Sequence, residues 1–477
     1  MSIDWSVNQS KAQSTPTRRG RAPVAAFPGL RGTRRYVQSV LVQRKRRLGL
    51  IAASVLALAG AALVAYLLLG PRADTDEAPS PAPAIVIREQ QELTTGDLGF
   101  PSFATKNTTR VAGPDPAADA AGVALAAFPS TGGVKGPTAV SLVADDDWAG
   151  GIAASSLTAA PIGAPVLVSG ADDVPSFTVD ALRGLSPAGS EQTAGKQVFA
   201  VGSASVPQGL EAERVPGASA AAVGAAVDRL RQRLTGADPK HFVVVSSEKP
   251  QFAMPAAGWA ARSGDPVLFA SRGEVPKPTM EALRRHPDAP VYVLGPPSVI
   301  SDEALASVRK ISTTVERIAA EDPVQNAIAF ARFAGGDFGW DINDPGHGFV
   351  IANLDRPLDA AAAAPLSAAG TWGPLLLTDD SSEVPSALRE YLLDVKPGYV
   401  GNPTRAVYNH VWLIGGQDAV SVAFQAQVDD LAELVQVRSG LGTGLGPPPG
   451  TPEHEQPQTG PSKGSRQPMT TTGRDKP

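Results

Sequence analysis

Three copies of one phrase constrain this chain more than its length does. "GAPVLVSGADDVP" begins at Gly163, "GDPVLFASRGEVP" at Gly264 and "WGPLLLTDDSSEVP" at Trp372. A longer unit surrounds each copy: "RVAGPDPAADAAGVALAAF" opens at Arg110, "RVPGASAAAVGAAVDRL" at Arg214 and "RIAAEDPVQNAIAFARF" at Arg317, at spacings of 104 and 103 residues. Self-similarity at a fixed period means that one structural unit is repeated.

Each unit reads as alternating strands and helices. An apolar run follows every opening ("AVSLVAD", "HFVVVSS", "GFVIANL"), then an Ala-rich segment, then the quoted phrase, then a third apolar run ending at Gly202, Gly295 or Gly415. Short Val, Ile, Leu and Phe runs bounded by Gly, Pro and Asp are the mark of strands buried on both faces, as in parallel sheets. Segments such as "ADAAGVALAAF" and "VPSALREYLLDV" read as the intervening helices. The expected fold class is α/β, with three tandem modules over 109–213, 214–316 and 317–436, each with its own parallel sheet and with boundaries near Glu213 and Glu316. Pro165, Pro266 and Pro374 should each open a core strand at its starting end, where a missing N–H can be spared.

The flanks differ sharply from this core. Residues 1–47 carry eleven Lys and Arg against Asp4 alone, a net of +10, which leaves −15 for the rest. Between the two lies Leu48–Leu69, 22 uncharged residues that would span about 33 Å as a helix. The basic run Arg44–Arg47 precedes it and "ADTDEA" follows it, so a single transmembrane helix is expected, with a cytoplasmic basic arm and everything after Gly70 outside the cell membrane. A cleaved signal peptide fits less well, because the preceding arm and the apolar core are both too long. Residues 70–108 read as a Pro-rich extracytoplasmic linker, and 437–477 as a disordered Pro/Gly-rich tail.

The phrases together resemble a known family, the second type of cell wall-binding repeat found in clostridial and actinobacterial surface proteins. The segments that carry the likeness are "RVAG…ADAAGVALAAFPS" at Arg110, "LDAAAAAPLSAAGTWGPLLLTD" at Leu358 and "LIGGQDAVS" at Leu413. The resemblance covers nearly all of 109–436. It implies Toprim-like modules, three to a pseudo-threefold unit, and non-covalent attachment to an anionic cell-wall glycopolymer. It also implies that the family's P-x-L-L strand contributes to retention, here at Val166, Leu167 and Val168, at Val267, Leu268 and Phe269, and at Leu375, Leu376 and Leu377. The family's helix-start Asp survives as Asp359 but is replaced near Gly150 and Gln251, and Ala320 stands where Gly113 and Gly217 open the other repeats. Arg272, in the loop after the second copy of the strand, is a further candidate ligand residue.

Catalytic signals are thin. Ser246 and Lys249 have serine–lysine spacing, but no K-T-G or S-D-N element accompanies them. Asp145 and Asp147 form a D-x-D pair that the other repeats do not keep, and the five histidines show no metal-ligand spacing. Cysteine is absent, which removes thiolate chemistry and disulfides. No enzyme activity, metal, cofactor or nucleic-acid partner is expected. Trp148, Trp259 and Trp372 fall near strand ends of successive repeats, where core packing is the usual role and a sugar platform the alternative. Two functions stay open: a membrane-anchored protein whose three modules bind wall polysaccharide, or a tethered envelope scaffold whose modules contact other proteins.

Overall fold

Strands form where the apolar runs stand between Gly, Pro and Asp, and the computed structural model describes them within residues 103–128 and 136–437. In chain order the first group comprises β1 (Phe103–Ala104), β2 (Thr108–Val111), α1 (Pro116–Ala127), β3 (Val140–Ala144), α2 (Trp148–Ala154), β4 (Val166–Ser169), α3 (Ser176–Leu185), β5 (Val198–Val201) and β6 (Ala212–Val215). The second comprises α4 (Ala220–Thr235), β7 (Phe242–Ser246), α5 (Pro250–Ala253), α6 (Pro255–Ser263), β8 (Val267–Ala270), α7 (Lys277–Arg285), β9 (Val291–Leu294), α8 (Asp302–Val308) and β10 (Val315–Ile318). The third comprises α9 (Pro323–Arg332), β11 (Gly348–Asn353), α10 (Pro357–Ala369), β12 (Leu375–Thr378), α11 (Ser386–Asp394), β13 (Gly398–Tyr399), β14 (His410–Ile414), α12 (Val422–Ala432) and β15 (Val435–Gln436). The expected membrane span Leu48–Leu69, the basic arm and the C-terminal tail from 438 onward lie outside the described residues. Among the described residues no helix is long and apolar enough to cross a membrane.

Three larger parallel sheets result, in the orders β4-β3-β5-β6, β8-β7-β9-β10 and β12-β11-β14-β2, besides a two-stranded parallel pair of β13 with β15. β1 adds to the third sheet as an antiparallel edge, within the segment expected to be linker. The strand of the repeated phrase is the edge strand in each sheet, and the residue before it, Pro165, Pro266 or Pro374, accepts a ladder hydrogen bond through its carbonyl from Ser141, Val243 or Val350. A proline there loses no bond that the sheet needs.

Both faces of the sheets are covered. In the second sheet Val243, Val245, Val267, Phe269, Tyr292 and Leu294 join a large core shared with the other two sheets. Their neighbours Phe242, Val244, Leu268, Ala270, Val291 and Val293 form a second core with Met280 and Leu283 of α7 and Leu305 of α8. This alternation is the period of a pleated strand, and it makes every residue of the run apolar. At about 1.5–3 kcal/mol for each fully buried large apolar side chain, these strands carry much of the fold's stability.

The sequence repeat and the sheets are out of phase by one strand. β6, which opens the second repeat, pairs in parallel with β5 of the first, and β10, which opens the third, pairs with β9 of the second. β2, which opens the first repeat, pairs with β14 of the third, so the described chain closes on itself. The helix after each donated strand returns to its own repeat: α1 packs on β4, α4 on β8 and α9 on β12.

The opening arginines explain why each repeat begins as it does. Arg317 donates to the carbonyls of Gly295 and Ile300 at 2.6 and 2.8 Å, Arg214 to that of Ala204 at 3.0 Å, and Arg110 to that of Ser421 at 2.7 Å. Each fastens a donated strand to the loop beyond the Gly-terminated strand of the host sheet. The Ala-rich helices α2, α6 and α10 pack on one another at the centre. Small residues permit that approach: a Cβ on Gly151 would stand 3.0 Å from Cβ of Ala361, and one on Gly258 2.9 Å from Oγ of Ser367.

Candidate functional site: strand-end loops and the junctions between repeats

Parallel strands all deliver their following loops to one end of a sheet, and in open α/β sheets ligands gather there. The nine residues of the repeated strand, Val166, Leu167, Val168, Val267, Leu268, Phe269, Leu375, Leu376 and Leu377, are buried to 2% exposure or less. Their side chains build the core, so any part they play in retention is to place the loops that follow. In the second repeat the hydroxyl of Thr279, in the first turn of α7, donates to the carbonyl of Phe269 at 2.7 Å and fixes one such loop.

Arg272 lies in that loop and is exposed. Its N–H donates to Oε2 of Glu248 at 3.1 Å, and its carbonyl accepts from the N–H of Ser301 at 2.9 Å. The loop after β8 is thereby tied to the loop after β7 and to the start of α8. The three strand ends differ in charge. The exposed Lys249 and Arg272 accompany Glu248 and Glu274 in the second repeat, whereas Asp145, Asp146, Asp172 and Asp173 occupy the first and Asp355, Asp379, Asp380 and Glu383 the third.

Asp359 stands at a different kind of place. It is fully buried at the start of α10, and Arg356, half-buried at the N-cap, brings Nε to 2.7 Å from its Oδ2 and Nη2 to 2.6 Å from Oδ2 of Asp119 in α1. Asp119 is also fully buried, and its other oxygen accepts the N–H of Gly113 at 2.7 Å. This triad joins the third repeat to the first. Burial pushes the Asp359 carboxyl up to about 6 despite Arg356 beside it, and burial together with the neighbouring Asp359 holds Asp119 well above the usual carboxylate range. The other junctions lack it: Val223 and Asn326 occupy the position of Asp119, and Asn326 keeps only the loop-closing bond, accepting from the N–H of Ala320 at 3.0 Å.

The catalytic candidates have structural duties. Ser246 is buried, and its hydroxyl accepts the N–H groups of Glu248 and Lys249 in a turn. Asp147 caps α2 by accepting from the N–H of Gly150 at 2.7 Å. Among the described residues no cluster of three or more acidic or histidine side chains is placed to hold a metal ion. A cleft of about 250 Å³ opens at the other end of the second sheet, beside Pro266. Its most buried cation, Arg231, already donates to the carbonyls of Ser156 and Ala160.

Two residues have environments that composition and spacing did not suggest. His241, the residue before β7, is only 5% exposed, with Nδ1 3.2 Å from Asp265 and Nε2 2.9 Å from Asp337 of the third repeat. Burial works against its charge, but the two carboxylates outweigh it and raise its pKa above the usual value. The tryptophans divide. Trp259 is buried and donates from Nε1 to Asp265 at 2.8 Å, and Trp148 packs edge-on against Phe269 with ring centres 6.1 Å apart. Trp372 is 58% exposed and has a left-handed φ of +61°, a conformation that costs a residue with a Cβ roughly 1–2 kcal/mol. A signal for it was present in the sequence, since Gly163 and Gly264 hold the matching place in the other two phrases.

Residues 317–425, most of the third repeat, match the family described as Cell wall binding domain 2 (CWB2). Two solved structures share the fold. Cwp6 from Clostridium difficile matches with a TM-score of 0.56 and 17% identity over 75% of this chain and 51% of its own. Cwp8 from Clostridium difficile matches with a TM-score of 0.53 and 20% identity over 69% of this chain and 52% of its own. The chain therefore spans about half the length of each. No curated protein sequence matches it.

Proposed function

We propose that this chain is a non-enzymatic cell wall-binding protein of the envelope, whose three Toprim-like modules hold an anionic wall glycopolymer without a covalent bond. The proposal includes a single membrane span at Leu48–Leu69, a cytoplasmic N-terminus and extracytoplasmic repeats. The observation that carries the reading is the match of 317–425 to a cell wall binding domain, on a unit whose strands, edge proline and stapling arginine recur in the two preceding repeats.

Charge decides how the modules divide the work. The described strand ends are acidic on the first and third repeats, so an anionic polymer is repelled there unless divalent cations intervene. On the second repeat Lys249 and Arg272 are exposed and can meet phosphate or carboxylate groups directly. The second repeat is thus the primary contact.

Co-sedimentation of the purified full chain with isolated cell walls tests the function. Wild-type protein should pellet with intact walls, remain soluble with walls stripped of glycopolymer, and be released by soluble extracted polymer. Equal pelleting with stripped walls would replace polymer binding by a protein-contacting scaffold.

A further inference from the structure

The repeated phrase holds a left-handed residue two places before its proline. Gly163 and Gly264 occupy it at φ +66° and +79°, and Trp372 occupies it at +61°. Glycine is the residue that this backbone favours, because no Cβ meets the following carbonyl. The fold therefore pays for a tryptophan at a position where two of its own repeats use glycine, and packing does not repay it, since Trp372 is 58% exposed. Strain of this kind points to a role outside the fold.

The residue is also held firmly. Its N–H donates to the carbonyl of Leu366 at 3.2 Å, and its carbonyl accepts from Nη1 of Arg262 at 2.7 Å, so the third repeat and the second fix its backbone together. Arg262 is steadied in turn by its position over the ring of Trp340, 5.1 Å from the centroid. Two strands across the same sheet end, just before β14, Tyr408 is 54% exposed, with its hydroxyl donating to the carbonyl of Pro403 at 2.9 Å. The entries of β12 and β14 are two strand spacings apart, roughly 10 Å.

We infer that Trp372 is a stacking platform for a sugar ring of the wall glycopolymer, with Tyr408 flanking a neighbouring ring. This rests on the glycopolymer reading above and deepens it. A pyranose has a face of C–H bonds that packs on an aromatic ring and edges of hydroxyl groups that need polar neighbours. One exposed ring fits that better than it fits a protein contact, which anchors aromatic groups in packed, desolvated pockets. The His347–Asp344 pair, 2.9 Å apart just before β11, supplies polar groups at the same sheet end. This end is opposite to the strand-end loops bearing Arg272, so a long polymer would meet the protein at two separated places.

The test uses the full chain, soluble extracted glycopolymer and the variants Trp372→Gly and Trp372→Phe. Trp372→Gly removes the ring and relieves the backbone, so its melting temperature should equal or exceed that of wild type while its polymer affinity falls about tenfold. Trp372→Phe should stay within about threefold of wild type. Wild-type and Trp372→Gly proteins that bind polymer equally would overturn the platform and leave the glycopolymer reading intact, whereas a wild type that fails to bind would overturn both. If Trp372→Gly instead converts an oligomer to a monomer in light scattering, with polymer affinity unchanged, the ring is a contact between copies and the inference is wrong.

Discussion

Arg356→Met should weaken the fold by an amount that depends strongly on pH. The substitution keeps a long side chain but leaves Asp119 and Asp359, both fully buried, side by side without their cation. Removing one partner of a buried ion pair costs about 3–5 kcal/mol, because the remaining charge has lost its compensation. The carboxyls can escape by keeping a proton. In the wild type Asp359 does so only below about 6. In the variant its folded-state pKa rises further, so the folded protein retains a proton through pH 8 that the unfolded chain gave up near 4. Each pH unit over which one extra proton must be held costs about 1.4 kcal/mol, and wild type, half-ionised at Asp359 near pH 6, loses little over the same range, so from pH 6 to pH 8 the variant should lose roughly 2 kcal/mol more than wild type.

Urea unfolding at pH 6 and pH 8 reads this directly. The variant's deficit should grow with pH, and adding Asp359→Asn should recover most of it at pH 8. A deficit that is equal at both pH values, or below ~1 kcal/mol at pH 8, would mean that water reaches the triad and that it does not fasten the third repeat to the first.

Other perturbations separate the remaining roles. His241 has a raised pKa, so its contribution is complete below about 6.5 and is lost as pH rises through the folded-state value. His241→Gln, which leaves Asp265, Asp337, Tyr292 and Lys240 in place, should flatten the wild-type loss of stability on the alkaline side of neutrality, and an unchanged slope would assign that loss to other groups. Leu376→Ala, in a strand residue with no exposure, should cost ~2–5 kcal/mol, and a change below 1 kcal/mol in thermal unfolding would contradict the core placement. Asp172→Ala, Asp379→Ala and Arg272→Ala should all stay within ~0.5 kcal/mol of wild type, with Arg272→Ala alone weakening wall co-sedimentation. Equal co-sedimentation by all three would remove the second repeat from its proposed role.

The period, the parallel strands and the strand-opening prolines were legible because they are local: each follows from a few adjacent residues, whereas the place of those strands at the sheet edges, not at the centre, depends on the whole sheet. Strand donation was not, since β6 looks the same in sequence whether it pairs with its own repeat or with β5 of the one before. Register depends on the host sheet, and the stapling contact from Arg214 to Ala204 becomes visible only after folding. Asp359 was identified by resemblance alone. Its partner Asp119 lies 240 residues earlier, and only ring closure brings them together. The environment of His241 was not legible because a lone histidine before a strand gives no hint of Asp337, supplied by the loop between α9 and β11 of the next repeat. The oddity of Trp372 could have been read by aligning the three phrases, because a glycine position held by tryptophan in one copy of three is a local anomaly.

The most direct measurement of the central claim is an equilibrium titration of the purified chain, in detergent, with soluble glycopolymer extracted from cell walls. The account predicts saturable binding that weakens as salt rises, as expected when the exposed Lys249 and Arg272 meet an anionic chain. It also predicts weaker binding by Arg272→Ala and by Trp372→Gly, each with an unchanged or higher melting temperature. No saturable binding by a folded wild-type chain at low salt would contradict the account.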